Sequence, residues 1–139
     1  MGFLIDSTLV MHAERNKLTV EDLLAELIDR WGDVTLAISV VTAGELLHGC
    51  WRADSPARRA RREEFVEAIL STIPVVDVTL HIMRIHAEID ARLHSKGNRT
   101  PMSDLLIAST ALSRGDAVVT ENLRHFRQVP GLTVHQHPR

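Results

Sequence analysis

Apolar residues recur along this chain with two different spacings, one typical of strands and the other of helices. Short, almost unbroken apolar runs at 3–5, 34–38 and 117–119 predict strands that are covered on both faces. Between these runs, apolar residues return every three to four positions, as they do on one face of a helix. The alternation predicts an α/β fold in which helices flank both faces of a mostly parallel central sheet.

Capping residues indicate where the predicted helices begin. Asp6 ends the first strand and is suited to cap a helix over 8–14. Thr42 and Glu45 have the Thr-x-x-Glu spacing of a capping box, which predicts a helix over 42–51 with Glu45 in its first turn. The other predicted elements are helices over 19–31, 56–71, 79–96 and, capped by Ser103, 104–114, and strands over 74–78 and 132–134.

Length and composition are those of one small domain. The 139 residues, of which 45% are hydrophobic, suffice for one core, so residues 1–139 are expected to form a single domain. No apolar run is long enough to cross a bilayer, and the first residues do not have the pattern of a secretory leader. We therefore expect a cytoplasmic protein that makes no membrane contact. Cys50 is the single cysteine, which excludes an internal disulfide.

The chain is close to electrically balanced, with a formal net charge of −2. This balance argues against binding of long nucleic acids through bulk positive charge, although a local basic patch can still meet phosphates. Five arginines between residues 52 and 62 form one such patch. They predict either phosphate contacts or a solvated surface that Glu63, Glu64 and Glu67 balance.

Three acidic residues occupy similar places relative to the predicted elements. Asp6 directly follows a strand, Glu45 lies shortly after a strand, and Asp104 lies in the first turn of a helix. In open α/β sheets ligands bind beyond the carboxyl ends of the strands, so we expect these acids to meet there with Asn122, which follows a late strand. Each acid also suits a helix N-terminus, where it would only cap the helix or complement its dipole.

Carboxylates gathered at one edge of a sheet repel one another, and a divalent cation relieves that repulsion. Oxygen ligands without cysteine or paired histidine favour Mg²⁺ or Mn²⁺ over zinc. Such an ion lowers the pKa of a bound water and offsets charge at a phosphate, which is the chemistry of phosphodiester hydrolysis. The acids considered together therefore predict a metal-dependent hydrolase.

Four blocks and a short tail carry the acids and their neighbours in a fixed order. They are Leu-Ile-Asp-Ser at 4–7, Ser-Val-Val-Thr-Ala-Gly-Glu-Leu-Leu-His-Gly at 39–49, Ser-Asp-Leu-Leu-Ile-Ala-Ser-Thr-Ala-Leu at 103–112, Val-Val-Thr-Glu-Asn-Leu-Arg-His-Phe at 118–126 and Val-Pro-Gly-Leu at 129–132. In these blocks the chain resembles the PIN-domain ribonucleases and, within them, the VapC-type toxins of bacterial toxin–antitoxin pairs. The resemblance spans nearly the whole chain.

The resemblance implies a PIN fold and Mg²⁺-dependent endoribonuclease activity, and the oxygen ligands lead us to expect that Mn²⁺ can replace Mg²⁺. It also implies an RNA substrate, a homodimer, and inhibition by a cognate antitoxin protein. Asp6, Glu45 and Asp104 match the acidic positions of the family, and they are expected to be catalytic and to hold the metal. The alternative is a PIN module that binds RNA or protein without cleaving it.

The chain departs from the family at one position. Many PIN domains have a fourth acid after the late strand, where this chain has Asn122, which we include in the expected catalytic set. An amide ligates through oxygen but adds no charge, so a one-metal and a two-metal site both remain open. Glu121 and His125 are neighbouring candidates, as a substitute acid and a phosphate contact, although both are expected to be exposed.

Overall fold

Strands and helices alternate along the chain, as the sequence predicts. A computed structural model describes residues 2–137. Its elements are β1 (Gly2–Ile5), α1 (Ser7–Arg15), α2 (Val20–Trp31), β2 (Thr35–Ser39), α3 (Val40–Trp51), α4 (Pro56–Thr72), β3 (Val75–Val76), α5 (Leu80–Ser95), α6 (Met102–Arg114), β4 (Ala117–Thr120) and β5 (Val134–Gln136). Within the described residues, no helix is both long and apolar enough to span a bilayer.

The five strands form one parallel sheet in the order β3-β2-β1-β4-β5. This arrangement confirms the predicted parallel sheet. From β1 the chain builds the sheet outward through β2 and β3, and it then returns to the other side of β1 with β4. The direction of building therefore reverses between β1 and β4, and in open α/β sheets a crevice for ligands forms at the carboxyl ends of two such strands.

The central strand β1 is buried on both faces, which explains its unbroken apolar sequence. Phe3 and Ile5 point to one side and join the core formed with α1, α2, α3 and α4. Leu4 points to the other side and packs with residues of α5 and α6. The sheet therefore has helices on both faces, and β1 delivers the residue that follows it, Asp6, into the interior.

Two helices begin two residues earlier than predicted. The Ser39 hydroxyl at the end of β2 accepts a hydrogen bond from the Val41 N–H at 3.1 Å, so Ser39 caps α3 in place of Thr42. Since α3 begins at Val40, Glu45 is its sixth residue and lies in the second turn, so the prediction of the first turn was wrong. Helix α6 begins at Met102 after the N-cap Pro101, so Ser103 lies inside the helix and does not cap it.

The last strand begins later than predicted. Strand β5 covers Val134–Gln136, whereas the sequence predicted 132–134. Gly131, at a φ of 77°, takes a left-handed conformation, and the N–H of Leu132 is still bonded to Val129 in the preceding turn at 3.4 Å. The chain therefore has to leave this turn before it can pair with β4.

Candidate active site at the carboxyl edge of the sheet

Asp6 leaves the carboxyl end of β1 and is buried where α1 begins. The hydroxyl of Thr8 donates to Asp6 Oδ1 at 2.7 Å, and the hydroxyl of Thr120, at the end of β4, donates to Oδ2 at 2.7 Å. The Leu9 N–H donates to Oδ1 at 3.4 Å, so Asp6 is also the N-cap of α1. The carboxylate is therefore held firmly, but its two short contacts are with uncharged groups.

Burial raises the pKa of Asp6 from 3.8 to about 6. The hydrogen bonds from Thr8, Thr120 and Leu9 act in the opposite direction, and the negative charge of Asp104 adds to the rise in pKa. A raised pKa means that the ionised form of Asp6 is unfavourable where it lies. A cation bound beside the carboxylate would stabilise that form.

Glu45 projects from the second turn of α3 and caps no helix, since Ser39 fills that role. Burial raises the pKa of Glu45, and the charges of Asp104 and Asp6 raise it further, while the nearby Ser7 hydroxyl opposes the rise. Glu45 Oε1 is buried and has no hydrogen-bond partner among residues 2–137. A buried acceptor without a donor is costly, and a bound cation satisfies it.

Asp104 is the third residue of α6, in the first turn as predicted. In a capping box the third residue accepts a hydrogen bond from the N-cap N–H, but Pro101 has no N–H to donate. The side chain of Asp104 is instead turned to His125, whose Nδ1 lies 2.6 Å from Asp104 Oδ2. Asp104 is therefore not a capping residue, and its charge reaches both Asp6 and Glu45.

A family model described as the PIN domain matches residues 3–132. The chain belongs to the PIN-domain family. It is 34% identical to the tRNA(fMet)-specific endonuclease VapC of Salmonella typhimurium over 99 residues, which cover 71% of this chain and 73% of the relative. It is 33% identical to ribonuclease VapC19 of Mycobacterium tuberculosis over 129 residues, which cover 93% of this chain and 95% of the relative.

The fold of this PIN domain is similar to that of a solved VapBC structure. The structure of DNA-bound VapBC from Salmonella typhimurium superposes with a TM-score of 0.83 at 28% identity, covering 98% of both chains. The PIN-like arrangement expected from the sequence is therefore confirmed.

Asn122, the residue at the usual fourth acidic position, is exposed on the turn that follows β4. Its Oδ1 accepts a hydrogen bond from the Arg124 N–H at 3.1 Å, so the amide stabilises its own turn. Glu121 is bound elsewhere, with one carboxylate oxygen 3.3 Å from Arg15 and the other 3.4 Å from His12. The catalytic role of Asn122 stays a prediction.

His125, Thr8 and Thr120 contact the candidate site acids, although the sequence did not single out either threonine. His125 was expected to be exposed, but its side chain is only 32% exposed and contacts Asp104. The strand register brings Thr120 to Asp6. Ile5 pairs with Val119, and Asp6 and Thr120 are the next residues along the two parallel segments. That register could have been inferred only after β1 and β4 were known to be neighbours.

The residues present are suited to a hard divalent cation. Within residues 2–137 no three His, Cys, Asp or Glu side chains lie close enough together to share a metal ion in the conformation described. Nevertheless Asp6, Glu45 and Asp104 offer carboxylate oxygens, none of them ion-paired with a lysine or arginine of the described chain, and Glu45 Oε1 has no hydrogen-bond partner there. Mg²⁺ and Mn²⁺ prefer such ligands.

Proposed function

We propose that this PIN domain is a metal-dependent endoribonuclease and the toxin of a toxin–antitoxin pair. The names of its relatives, which are ribonucleases and a tRNA endonuclease, support this activity. The observation that carries the proposal is that burial and the charge of Asp104 raise the pKa values of both Asp6 and Glu45, while none of the three carboxylates pairs with a lysine or arginine within residues 2–137. Structured cellular RNA is the proposed substrate.

Asp6, Glu45 and Asp104 are the proposed ligands of Mg²⁺, for which Mn²⁺ can substitute. When bound, the ion supplies positive charge beside the RNA phosphate and lowers the pKa of a water molecule. Thr8 and Thr120 fix both oxygens of Asp6, and Glu45 offers the oxygen that lacks a donor. Asn122, which is exposed and whose N–H donates to the Thr120 hydroxyl, is proposed as a further catalytic residue that contacts the RNA through its amide.

The proposed protein partners are a cognate antitoxin and a second copy of the chain. A solved structure of similar fold, VapBC-5 from Mycobacterium tuberculosis, is described as a member of the VapBC family of toxin–antitoxin systems. Helix α3 offers a surface for such contacts, because Val40, Leu47 and Trp51 are 40%, 39% and 69% exposed and recur on one face of the helix. Light scattering of the purified chain measures the proposed homodimer. We place this activity in the cytoplasm, which holds the proposed RNA substrate.

Cleavage of total cellular RNA, enriched in tRNA, tests the proposed function. We expect discrete cuts with Mg²⁺ or Mn²⁺, none with a chelator, and a loss of about 100-fold or more in Asp104→Asn. The matched control is Asp90→Asn, which changes an exposed aspartate on α5 and should leave the cuts intact. If the wild type binds the cation and RNA but cuts nothing, the chain is instead a binding module.

A further inference from the structure

His125 makes a short contact with one of the three acids. Its Nδ1 lies 2.6 Å from Asp104 Oδ2, slightly less than the roughly 2.7–2.9 Å of a charge-assisted N–H···O hydrogen bond. The two residues are 21 positions apart in the chain, so the contact depends on the tertiary fold. It is the single side-chain hydrogen bond that Asp104 makes within residues 2–137.

The turn that carries His125 is held on both sides of it. The Thr120 hydroxyl accepts a hydrogen bond from the Asn122 N–H at 2.9 Å, and Asn122 Oδ1 accepts one from the Arg124 N–H at 3.1 Å. On the other side, Phe126 is 2% exposed, and its N–H donates to the Leu123 carbonyl at 3.1 Å. These contacts hold the backbone on both sides of His125, and from there the ring reaches Asp104 on α6.

Asp104, in contrast, has no local interaction that would fix its side chain. Pro101 at the N-cap has no N–H, so the reciprocal hydrogen bond of a capping box is impossible. Without His125, the carboxylate would be free to rotate at the partly exposed N-terminus of α6. The orientation of Asp104 therefore depends on a residue from the turn after β4.

We propose that His125 is the positioning residue for Asp104: Nδ1 holds one carboxylate oxygen and leaves the other to bind the divalent cation. This inference rests on the proposed function, because it assigns the residue that orients one ligand of the same site. Groups that hold metal ligands through hydrogen bonds commonly change metal affinity by about 10- to 100-fold when they are removed. His125 acts through Asp104 and is not itself assigned as a ligand.

Calorimetric titration of the full chain with Mg²⁺, and separately with Mn²⁺, tests the positioning role without RNA. We expect His125→Ala to weaken cation binding about tenfold or more. His125→Asn retains an N–H donor near the position of Nδ1 and is expected to restore most of the lost affinity. His94→Ala, at an exposed histidine on α5, is the matched control and should bind as the wild type does.

An RNA cleavage assay provides a second, independent measurement on the same variants. For His125→Ala we expect the Mg²⁺ concentration needed for half-maximal cleavage to rise about tenfold or more, while kcat at saturating Mg²⁺ changes little. Thermal unfolding without metal verifies that the variants are folded. A general loss of structure would lower kcat and the unfolding temperature together, and that result would contradict the positioning role.

The outcomes separate this inference from the proposed function. Cation binding that is the same in wild type and His125→Ala, or tighter in the variant, overturns the positioning role and leaves the metal site in place. Tighter binding would mean that His125 competes with the cation for Asp104. Failure of the wild type to bind either cation overturns the metal site, and the role of His125 together with it.

Discussion

The acidic site, which consists of Asp6, Glu45 and Asp104, differs from helix α4 in how its charged side chains are paired. On α4, Arg58 pairs with Asp54 at 3.1 Å, Arg59 with Glu63 at 2.7 Å, and Arg62 with Glu14 at 2.9 Å. At the acidic site, neither lysine nor arginine of the described chain pairs with the carboxylates, and the pKa values of Asp6 and Glu45 are raised. The arginines of α4 therefore pair with other carboxylates and not with those of the acidic site.

This difference favours one of the two interpretations of the arginine patch. The sequence left phosphate contacts and a balanced, solvated surface open. Three arginines of α4 are paired with carboxylates, and the guanidinium of Arg59 also lies 3.5 Å over the ring of Trp51. The interpretation as a solvated surface is therefore favoured for α4. The carboxylates of Asp6, Glu45 and Asp104, in contrast, have no lysine or arginine partner among residues 2–137, and a cation could bind there.

The largest expected effect is that of Glu45→Gln, which removes a charge and keeps the size of the side chain. We expect RNA cleavage to fall by about 100-fold or more, because one carboxylate of the proposed metal site is lost. Folding should not suffer, since burial raises the pKa of Glu45 and the neutral amide avoids the cost of a buried charge. Urea denaturation beside the cleavage assay measures both. A large loss of stability would show that Glu45 holds the fold together.

A smaller effect is expected for Asp6→Asn in metal-free buffer. Because the folded-state pKa, about 6, exceeds the ordinary 3.8, the folded protein binds the proton of Asp6 more tightly than the unfolded chain does. The contribution of Asp6 to stability is therefore greatest at low pH and is lost as the pH rises through about 6. As the pH rises from about 4 to about 7, the free energy of unfolding of Asp6→Asn should therefore increase by roughly 2 kcal/mol relative to that of the wild type.

Denaturation curves at several pH values measure this difference, and saturating Mg²⁺ should reverse it by stabilising only the wild type. A difference that does not vary with pH would mean that the Asp6 carboxyl has an ordinary pKa in the folded protein.

The smallest effects are expected on α4. Arg62 is 35% exposed and donates to both Glu14 and the Gly49 carbonyl, so Arg62→Met should cost about 1 kcal/mol of unfolding free energy. Arg58→Met, at a pair that is largely exposed, is the matched control and should cost less than about 0.5 kcal/mol. Both variants should cut RNA as the wild type does. A severalfold loss of cleavage in Arg58→Met would restore the phosphate-binding interpretation.

Much of the fold could be predicted from the sequence because the decisive signals are local. The strand at 3–5 and the helices over 19–31 and 56–71 are each predicted from a few adjacent residues, and each was found within one residue of its predicted bounds. The predicted start of α3 was wrong because two residues suited to cap the helix, Ser39 and Thr42, lie three positions apart. The sequence pattern cannot rank them, whereas the end of β2 places Ser39 at the turn.

The candidate site could be predicted only as far as its acids follow from local patterns. Asp6, Glu45 and Asp104 each stand near the start of a helix, which a sequence reveals. The contacts of Thr120 with Asp6 and of His125 with Asp104 join residues 114 and 21 positions apart. They follow from the pairing of β1 with β4 and from the turn after β4, neither of which a local pattern contains.

Asp6 both caps α1 and belongs to the acidic site, whereas Glu45 and Asp104 cap nothing. This asymmetry constrains how such a chain can change over generations. A lineage that no longer needs the chemistry can exchange Glu45 or Asp104 for many residues, but at position 6 it is restricted to side chains that still begin a helix, such as asparagine or serine. In descendants that have lost activity, position 6 should therefore vary least among the three.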